Sequence, residues 1–181
     1  MPNRLISIFH PFFAIFGVAA SLFANSLAVA NDEIPSHCQK EEFKFLNARI
    51  PLDGTNETEK ILSLCADRKS EPLARMIYRF GAIGKVEMEL IASAQNKAGV
   101  SRQSDESSRA GFISVVFYHG PYVYEVSEGM GMTSGIRLNV YRNTAKIIGY
   151  ESHEFGSELI YLNFDQTLSP IFKLVTPLQP W

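Results

Sequence analysis

The sequence predicts an all-β domain, an antiparallel, hairpin-connected barrel or sandwich of about eight strands with one disulfide. Segments in which apolar and polar residues alternate come in successive pairs after residue 41. Each pair is separated by residues that favour turns, which is typical of β-hairpins. A closed barrel or a two-sheet sandwich would also protect the strand edges that an open sheet leaves exposed.

Residues 1–30 have the features of a signal peptide. Arg4 gives a short positive start, residues 5–27 are mostly apolar, and Ala28-Val29-Ala30 fits a small-residue cleavage site. An uncleaved membrane anchor is the alternative, because about 20 apolar residues can span a bilayer. Polar residues and a proline interrupt this run, so we expect cleavage and a mature chain of residues 31–181 that is periplasmic or secreted.

The composition of this mature chain argues against several functions. It holds 16 Lys and Arg against 19 Asp and Glu, a balance that does not favour nucleic-acid binding. None of its segments is long and apolar enough to predict a membrane span. Its 151 residues suit a single β-rich domain with one core and an extended C-terminal tail.

The first predicted hairpin pairs residues 42–50 with residues 60–66. Cys38 precedes the first strand and Cys65 lies on the second, so a disulfide would fasten the N-terminal segment to the hairpin. In an oxidising compartment a disulfide is the expected state of two cysteines. Metal binding is the alternative, but neither cysteine has a second ligand two to four residues away.

The second predicted hairpin has residues 81–85 as its loop. This register places Tyr78 opposite Met88 on an apolar face and Arg79 opposite Glu87 on a polar face. We expect the Arg79–Glu87 pair to be exposed and to contribute little to stability.

Two further hairpins follow. One pairs residues 111–118 with residues 121–127 around a His119-Gly120 turn, in which Gly120 supplies a positive φ. In this register Phe117 faces Tyr122 and Val115 faces Tyr124 on one apolar and aromatic face. The other pairs residues 135–142 with residues 146–151.

Two segments are predicted to be exposed, flexible loops. Residues 93–110 are polar and residues 127–134 are rich in glycine, and loops carried on a rigid scaffold often bind partners. Within these loops, the residues predicted to contact a protein partner are Arg102, Asp105, Glu106, Arg109, Glu128, Met130 and Met132. After residue 155 we expect a short helix or strand followed by extended chain.

No catalytic motif stands out in the mature chain. His119 suits a turn, and no serine lies in a G-x-S-x-G sequence. We therefore predict no catalytic residue, no metal ligand and no cofactor. The alternative is an enzyme with a dispersed site around His153 and Glu154, or around the carboxylates of Glu87 and Glu89.

Three short motifs resemble those of a family of small exported bacterial proteins of unknown function: Ser63-Leu64-Cys65, Tyr78-Arg79-Phe80-Gly81 and Lys85-Val86-Glu87-Met88-Glu89. The resemblance covers roughly residues 38–150 and implies no activity. A looser similarity, to periplasmic lysozyme inhibitors, implies a compact β domain that presents a loop to a hydrolase cleft, and it supplies no site residue.

These observations predict a non-catalytic exported binding protein, of which an inhibitor or immunity protein acting on a cell-wall hydrolase in the periplasm is one form. The alternatives are a periplasmic enzyme with a dispersed site and an envelope structural or stress protein.

Overall fold

A computed structural model describes residues 33–52, 59–70, 72–105, 110–159 and 170–176, which belong to one compact unit. The predicted signal peptide, residues 1–30, lies outside the described residues. The described part of the chain contains no helix that is long and apolar enough to cross a membrane. Its strands are β1 (Phe43–Ile50), β2 (Lys60–Ala66), β3 (Met76–Ala82), β4 (Lys85–Ala92), β5 (Ala98–Asp105), β6 (Ala110–His119), β7 (Tyr122–Gly131), β8 (Gly135–Arg142), β9 (Ala145–Ser152), β10 (Phe155–Ser157) and β11 (Phe172–Leu174).

These strands form a β-sandwich, which confirms the predicted all-β class. The first sheet has the order β10-β1-β2-β3-β4 and the second has the order β11-β5-β6-β7-β8-β9. Neighbouring strands are antiparallel except β11 and β5, which are parallel. The described strands exceed the expected eight because β5, β10 and β11 lie in segments that were expected to be loop or tail.

The hydrophobic core lies between the inner faces of the two sheets. Leu64 and Tyr78 of the first sheet and Val115 and Val126 of the second all belong to one buried cluster. The ring of Tyr78 lies 5.7 Å from the ring of Phe117, so aromatic contacts cross directly from one sheet to the other. The alternation of buried and exposed side chains in the sequence therefore reflects the two-sheet packing.

The strands of all four predicted hairpins are confirmed, but two of the registers are wrong by two residues. Tyr78 pairs with Leu90 instead of Met88, because the β3–β4 turn is the two-residue Ile83-Gly84 and a bulge follows Phe80. Likewise Phe117 pairs with Tyr124, because the β6–β7 turn is Gly120-Pro121. A shift of two residues keeps each side chain on its predicted face, so the alternating pattern cannot detect it.

Gly81 explains the bulge in the β3–β4 hairpin. A Cβ atom at this position would lie 2.2 Å from the carbonyl oxygen of Lys85, so only glycine allows the two backbones to approach this closely. At the third hairpin, Gly120 has the predicted positive φ, 57°.

The two predicted flexible loops are largely β-strand. Ala98–Asp105 forms β5 and pairs along β6, while β7 continues to Gly131 and leaves only residues 132–134 as the connection to β8. The prediction from local polarity was wrong because ladder hydrogen bonds with a long neighbouring strand can stabilise a segment of low intrinsic β-propensity.

The N-terminal lead-in segment, residues 33–42, is fastened to the first sheet. Cys38 and Cys65 form the predicted disulfide, which joins residues 27 positions apart. Closing a loop of this length stabilises the fold by about 3 to 4 kcal/mol in the chain-entropy model. The segment is held further by the His37 backbone N–H, which donates to Ser63 Oγ at 3.0 Å, and by His37 Nε2, which lies 3.3 Å from the Gly81 carbonyl oxygen.

Arg79 is the centre of this attachment, contrary to the exposed Arg79–Glu87 pair that the sequence suggested. Its side chain is buried; it forms an ion pair with Glu42 of the lead-in segment and donates to the His37 carbonyl oxygen at 3.1 Å. Its Nε donates to Glu89 at 2.7 Å, whereas Glu87 pairs with Lys60 at 2.6 Å. The true register makes Glu89 the cross-strand neighbour of Arg79.

Replacing Arg79 by alanine should destabilise the fold by about 3 to 5 kcal/mol, because it leaves the buried Glu42 carboxylate without its cation. The double variant Arg79→Met with Glu42→Leu should recover much of this loss, since no buried charge is left unpaired. Glu87→Ala, which removes an exposed acid, is the control and should have a much smaller effect. Urea denaturation measures all three, and equal losses for Arg79→Ala and Glu87→Ala would contradict the assignment.

The Arg79–Glu42 pair should also make stability depend on pH. The hydrogen bond from Arg79 lowers the pKa of Glu42 in the folded protein below its ordinary value of 4.5. The pair therefore stabilises the fold above pH 4.5, and this contribution is lost as the pH falls through the lower folded pKa. In acid titrations followed by circular dichroism, the double variant should lose less stability than the wild type over this range; parallel curves would contradict this expectation.

Candidate ligand-binding site

A cavity opens between the two sheets at one end of the sandwich. Strands β3 and β4 of the first sheet face β7, β8 and β9 of the second sheet there, and the cavity, which is open to solvent on one side, has a volume of about 350 Å³. This volume lies at the lower end of the range for small-molecule sites, roughly 300 to 1,000 Å³. The cavity is therefore large enough for a small organic ligand.

The lining of the cavity is aromatic and aliphatic, with a single charged side chain. Rings and aliphatic groups come from both sheets, which leaves hydroxyl groups as the main polar features of the wall. The lining residues are Tyr78, Phe80, Glu87, Met88, Tyr122, Tyr124, Leu138, Val140, Ile147, Ile148 and Tyr150.

The strand registers explain why these side chains meet. On the first sheet Phe80 pairs with Met88 just beyond the bulge, so both point between the sheets. On the second sheet Tyr124 pairs with Val140. A bulge in the β8–β9 ladder leaves Ile147 unpaired beside Ile148, so two successive residues of β9 both reach the cavity.

Tyr78 lies in the wall of the cavity. The residue as a whole is only 1% exposed, and its hydroxyl group is the one polar group of its side chain. Burial, with a smaller contribution from Tyr124, raises the pKa of Tyr78 well above its ordinary value. Tyr78 is therefore protonated at neutral pH and can donate to an acceptor atom placed in the cavity.

Tyr124 is a second protonated phenol in the wall. Its ring lies 5.8 Å from that of Tyr78. Burial, followed by the neighbouring Tyr122, raises the pKa of Tyr124. The two phenols thus offer hydroxyl groups, not phenolates, to the interior.

Glu87 supplies the one charge in the lining, and this charge is compensated. Lys60 Nζ lies 2.6 Å from a Glu87 carboxylate oxygen. The hydrogen bond from Lys60 lowers the pKa of Glu87, so the carboxylate is ionised and paired at neutral pH. The cavity wall therefore has no uncompensated charge, which favours a neutral ligand.

Arg102 and Glu128, two of the predicted partner-binding residues, lie on either side of β6, because both pair with Ile113. Their role in binding a partner stays a prediction. Arg102 is exposed on β5 and Asp105 ends that strand, while Glu106 and Arg109 lie outside the described residues. Glu128 is not in a loop but buried on β7, where it accepts the Ser157 hydroxyl at 2.6 Å. Met130 is half-buried on β7, and Met132 is 84% exposed in the turn that follows.

Glu87 and Glu89, the two carboxylates of the alternative enzyme hypothesis, have separate ion-pair partners. Glu87 pairs with Lys60 at the cavity, whereas Glu89 pairs with Arg79 beside the lead-in segment. His153 is exposed, and its nearest acidic group is Glu151 at 3.9 Å. Glu154 lies 3.4 Å from Arg49. These groups have different partners and do not converge on one position.

One further cluster combines possible metal ligands. Cys38, Glu42 and Cys65 each place a sulfur or oxygen atom within 4.8 Å of the others. The two sulfurs are bonded to each other, and the thiolate is the form of cysteine that binds metal. Glu42 is the partner of Arg79, so this cluster serves to attach the lead-in segment.

Sequence reasoning missed the cavity, although it noticed part of the lining. Tyr122 and Tyr124 were recognised as inward-facing members of an aromatic ladder, and their alternation on β7 is real. The sequence offers one signal for the cavity, which is the number of tyrosines near the ends of strands. A core that served only for packing would have aliphatic side chains at these positions.

Comparisons with protein-family models, characterised proteins and solved structures found no match for this chain.

Proposed function

We propose that this chain is a non-catalytic exported binding protein and that the cavity between its sheets binds a small, neutral, apolar ligand. The observation that carries the proposal is the pair of phenol groups of Tyr78 and Tyr124, whose rings lie 5.8 Å apart in an aromatic wall between the sheets. A protonated phenol in this wall can donate to a ligand that carries an acceptor atom.

Two other features support binding of this kind. Protein interiors are normally packed without large voids, so an apolar cavity of about 350 Å³ is a departure that a ligand would fill. The residues considered for catalysis lie apart, with Glu89 and His153 in separate surroundings, which favours binding over a reaction.

Closing the cavity should abolish binding of a neutral apolar probe. Ile148 is 38% exposed at the cavity, so Ile148→Trp should block entry without overpacking the core. The matched control is Ile91→Trp, at a site on β4 that is 43% exposed and outside the lining. With N-phenyl-1-naphthylamine fluorescence on residues 31–181, we expect at least about tenfold weaker binding for Ile148→Trp and wild-type binding for the control. Unchanged binding by Ile148→Trp, at an unchanged melting temperature, would refute the cavity as the site.

The Tyr78 hydroxyl should distinguish ligands that carry an acceptor atom. Tyr78→Phe removes the hydroxyl but keeps the ring, so it should weaken binding of acetophenone about fivefold, the equivalent of one hydrogen bond of about 1 kcal/mol. Binding of isopropylbenzene, which has a similar shape and no acceptor, should not change. Isothermal titration calorimetry compares the two ligands, and equal effects on both would show that Tyr78 contributes only through packing.

An inhibitor or immunity protein for a cell-wall hydrolase is the second candidate function. One observation favours it: Met132 is 84% exposed in the β7–β8 turn, and an exposed apolar side chain at a turn is suited to a partner surface.

If a hydrolase binds this turn, Met132→Ala should weaken its capture from a panel of lysozymes by about tenfold or more, as for a residue central to an interface. Probe binding in the cavity should stay at the wild-type level and serves as the control for folding. A panel in which no lysozyme is inhibited or bound by the wild type would remove this second function.

A further inference from the structure

The mouth of the cavity is surrounded by exposed aliphatic side chains. We call Ile83, Ile147 and Ile148 the rim. All three are exposed, between 38% and 56%, although large aliphatic side chains are usually buried. Ile147 and Ile148 line the cavity, and Ile83 lies in the turn between β3 and β4, the two strands that line it on the first sheet.

Cations lie beside this rim although the whole chain carries a formal net charge of −2. Lys85 follows the β3–β4 turn and Arg142 precedes the β8–β9 turn, and both are exposed. Arg142 lies 5.9 Å from the ring centre of the lining residue Tyr122, which places it at the cavity mouth. Neither residue forms an ion pair within the described residues.

The acidic side chains nearest to these cations are already paired. Glu87 is paired with Lys60 at 2.6 Å, and Glu59, which precedes Lys60, is paired with Arg49 at 2.9 Å. Among the described residues, this end of the sandwich therefore combines exposed aliphatic groups with an excess of positive charge. Peripheral proteins use that combination to bind anionic lipid surfaces.

We propose that the rim docks on an anionic lipid bilayer, with its aliphatic side chains in the interface and Lys85 and Arg142 against the lipid headgroups. Docking in this orientation would place the cavity mouth against the acyl chains. The inference rests on exposure and charge at the rim, so it stands whether or not the cavity takes the ligand proposed above.

Vesicle co-sedimentation of residues 31–181 tests this docking, because that chain lacks the apolar N-terminal stretch and keeps the whole compact unit. The probes are vesicles of equimolar phosphatidylglycerol and phosphatidylcholine, and vesicles of phosphatidylcholine alone. We expect binding to the anionic vesicles only, and we expect it to weaken as salt is raised from 50 to 500 mM, an interval of about tenfold in ionic strength over which screening becomes strong.

Two double variants locate the binding surface. Ile83→Ser with Lys85→Glu changes the rim without touching the cavity lining, and it should reduce vesicle binding about tenfold or more. Leu174→Ser with Lys40→Glu makes the same chemical changes at exposed positions outside the rim and should bind like the wild type.

Binding of N-phenyl-1-naphthylamine without vesicles should be the same for both double variants, which separates this proposal from the cavity proposal. The docking proposal is overturned if the rim variant binds anionic vesicles like the wild type, or if neutral vesicles bind equally well. Analytical ultracentrifugation tests whether a second copy of the chain covers the rim instead. The docking proposal is also overturned if the wild type binds no vesicles but forms a dimer that the rim substitutions dissociate.

Discussion

The buried guanidinium of Arg79 joins the lead-in segment to both strands of the β3–β4 hairpin. It bonds to Glu42 and to the His37 carbonyl of the lead-in segment, and to Glu89 across the β3–β4 ladder. A buried cation needs such partners, so only one position of the lead-in segment and one register of the hairpin satisfy it. That register pairs Phe80 with Met88 at the cavity, which ties the shape of the candidate site to an ion pair on the opposite face of the sheet.

The positions of the strands could be predicted from the sequence better than the registers in which they pair. The β1–β2 and β8–β9 hairpins follow directly from alternating residues and turn-forming residues, and the disulfide follows from two cysteines in a chain that is predicted to be exported. The registers around Tyr78 and Phe117 did not follow, because a period of two residues looks the same after a shift of two. The bulge at Gly81 and the distant partner Glu42 distinguish the register around Tyr78, and neither is visible in a local pattern.

The candidate site was hidden for a related reason. The inward direction of Tyr124 was predictable from its strand, but the gap beside it depends on where two sheets separate, which is a property of the whole sandwich. A sequence selected only for stability would fill this gap with aliphatic side chains. The tyrosines that line this gap are a local departure from close aliphatic packing, and such departures are concentrated at functional sites.

The position of β1 has a consequence for the order in which the chain can assemble. β1 lies between β2, which follows it closely, and β10, which begins at Phe155, more than one hundred residues later. During synthesis or translocation, one edge of β1 must therefore wait, with its backbone groups unpaired, until nearly the whole chain has emerged. Long-range pairing of this kind slows folding and leaves an edge on which other chains can add. The first sheet would then close as one of the last events of folding. One of the hydrogen bonds formed at that stage is donated by the Glu158 N–H, just after β10, to the Phe45 carbonyl oxygen at 2.7 Å.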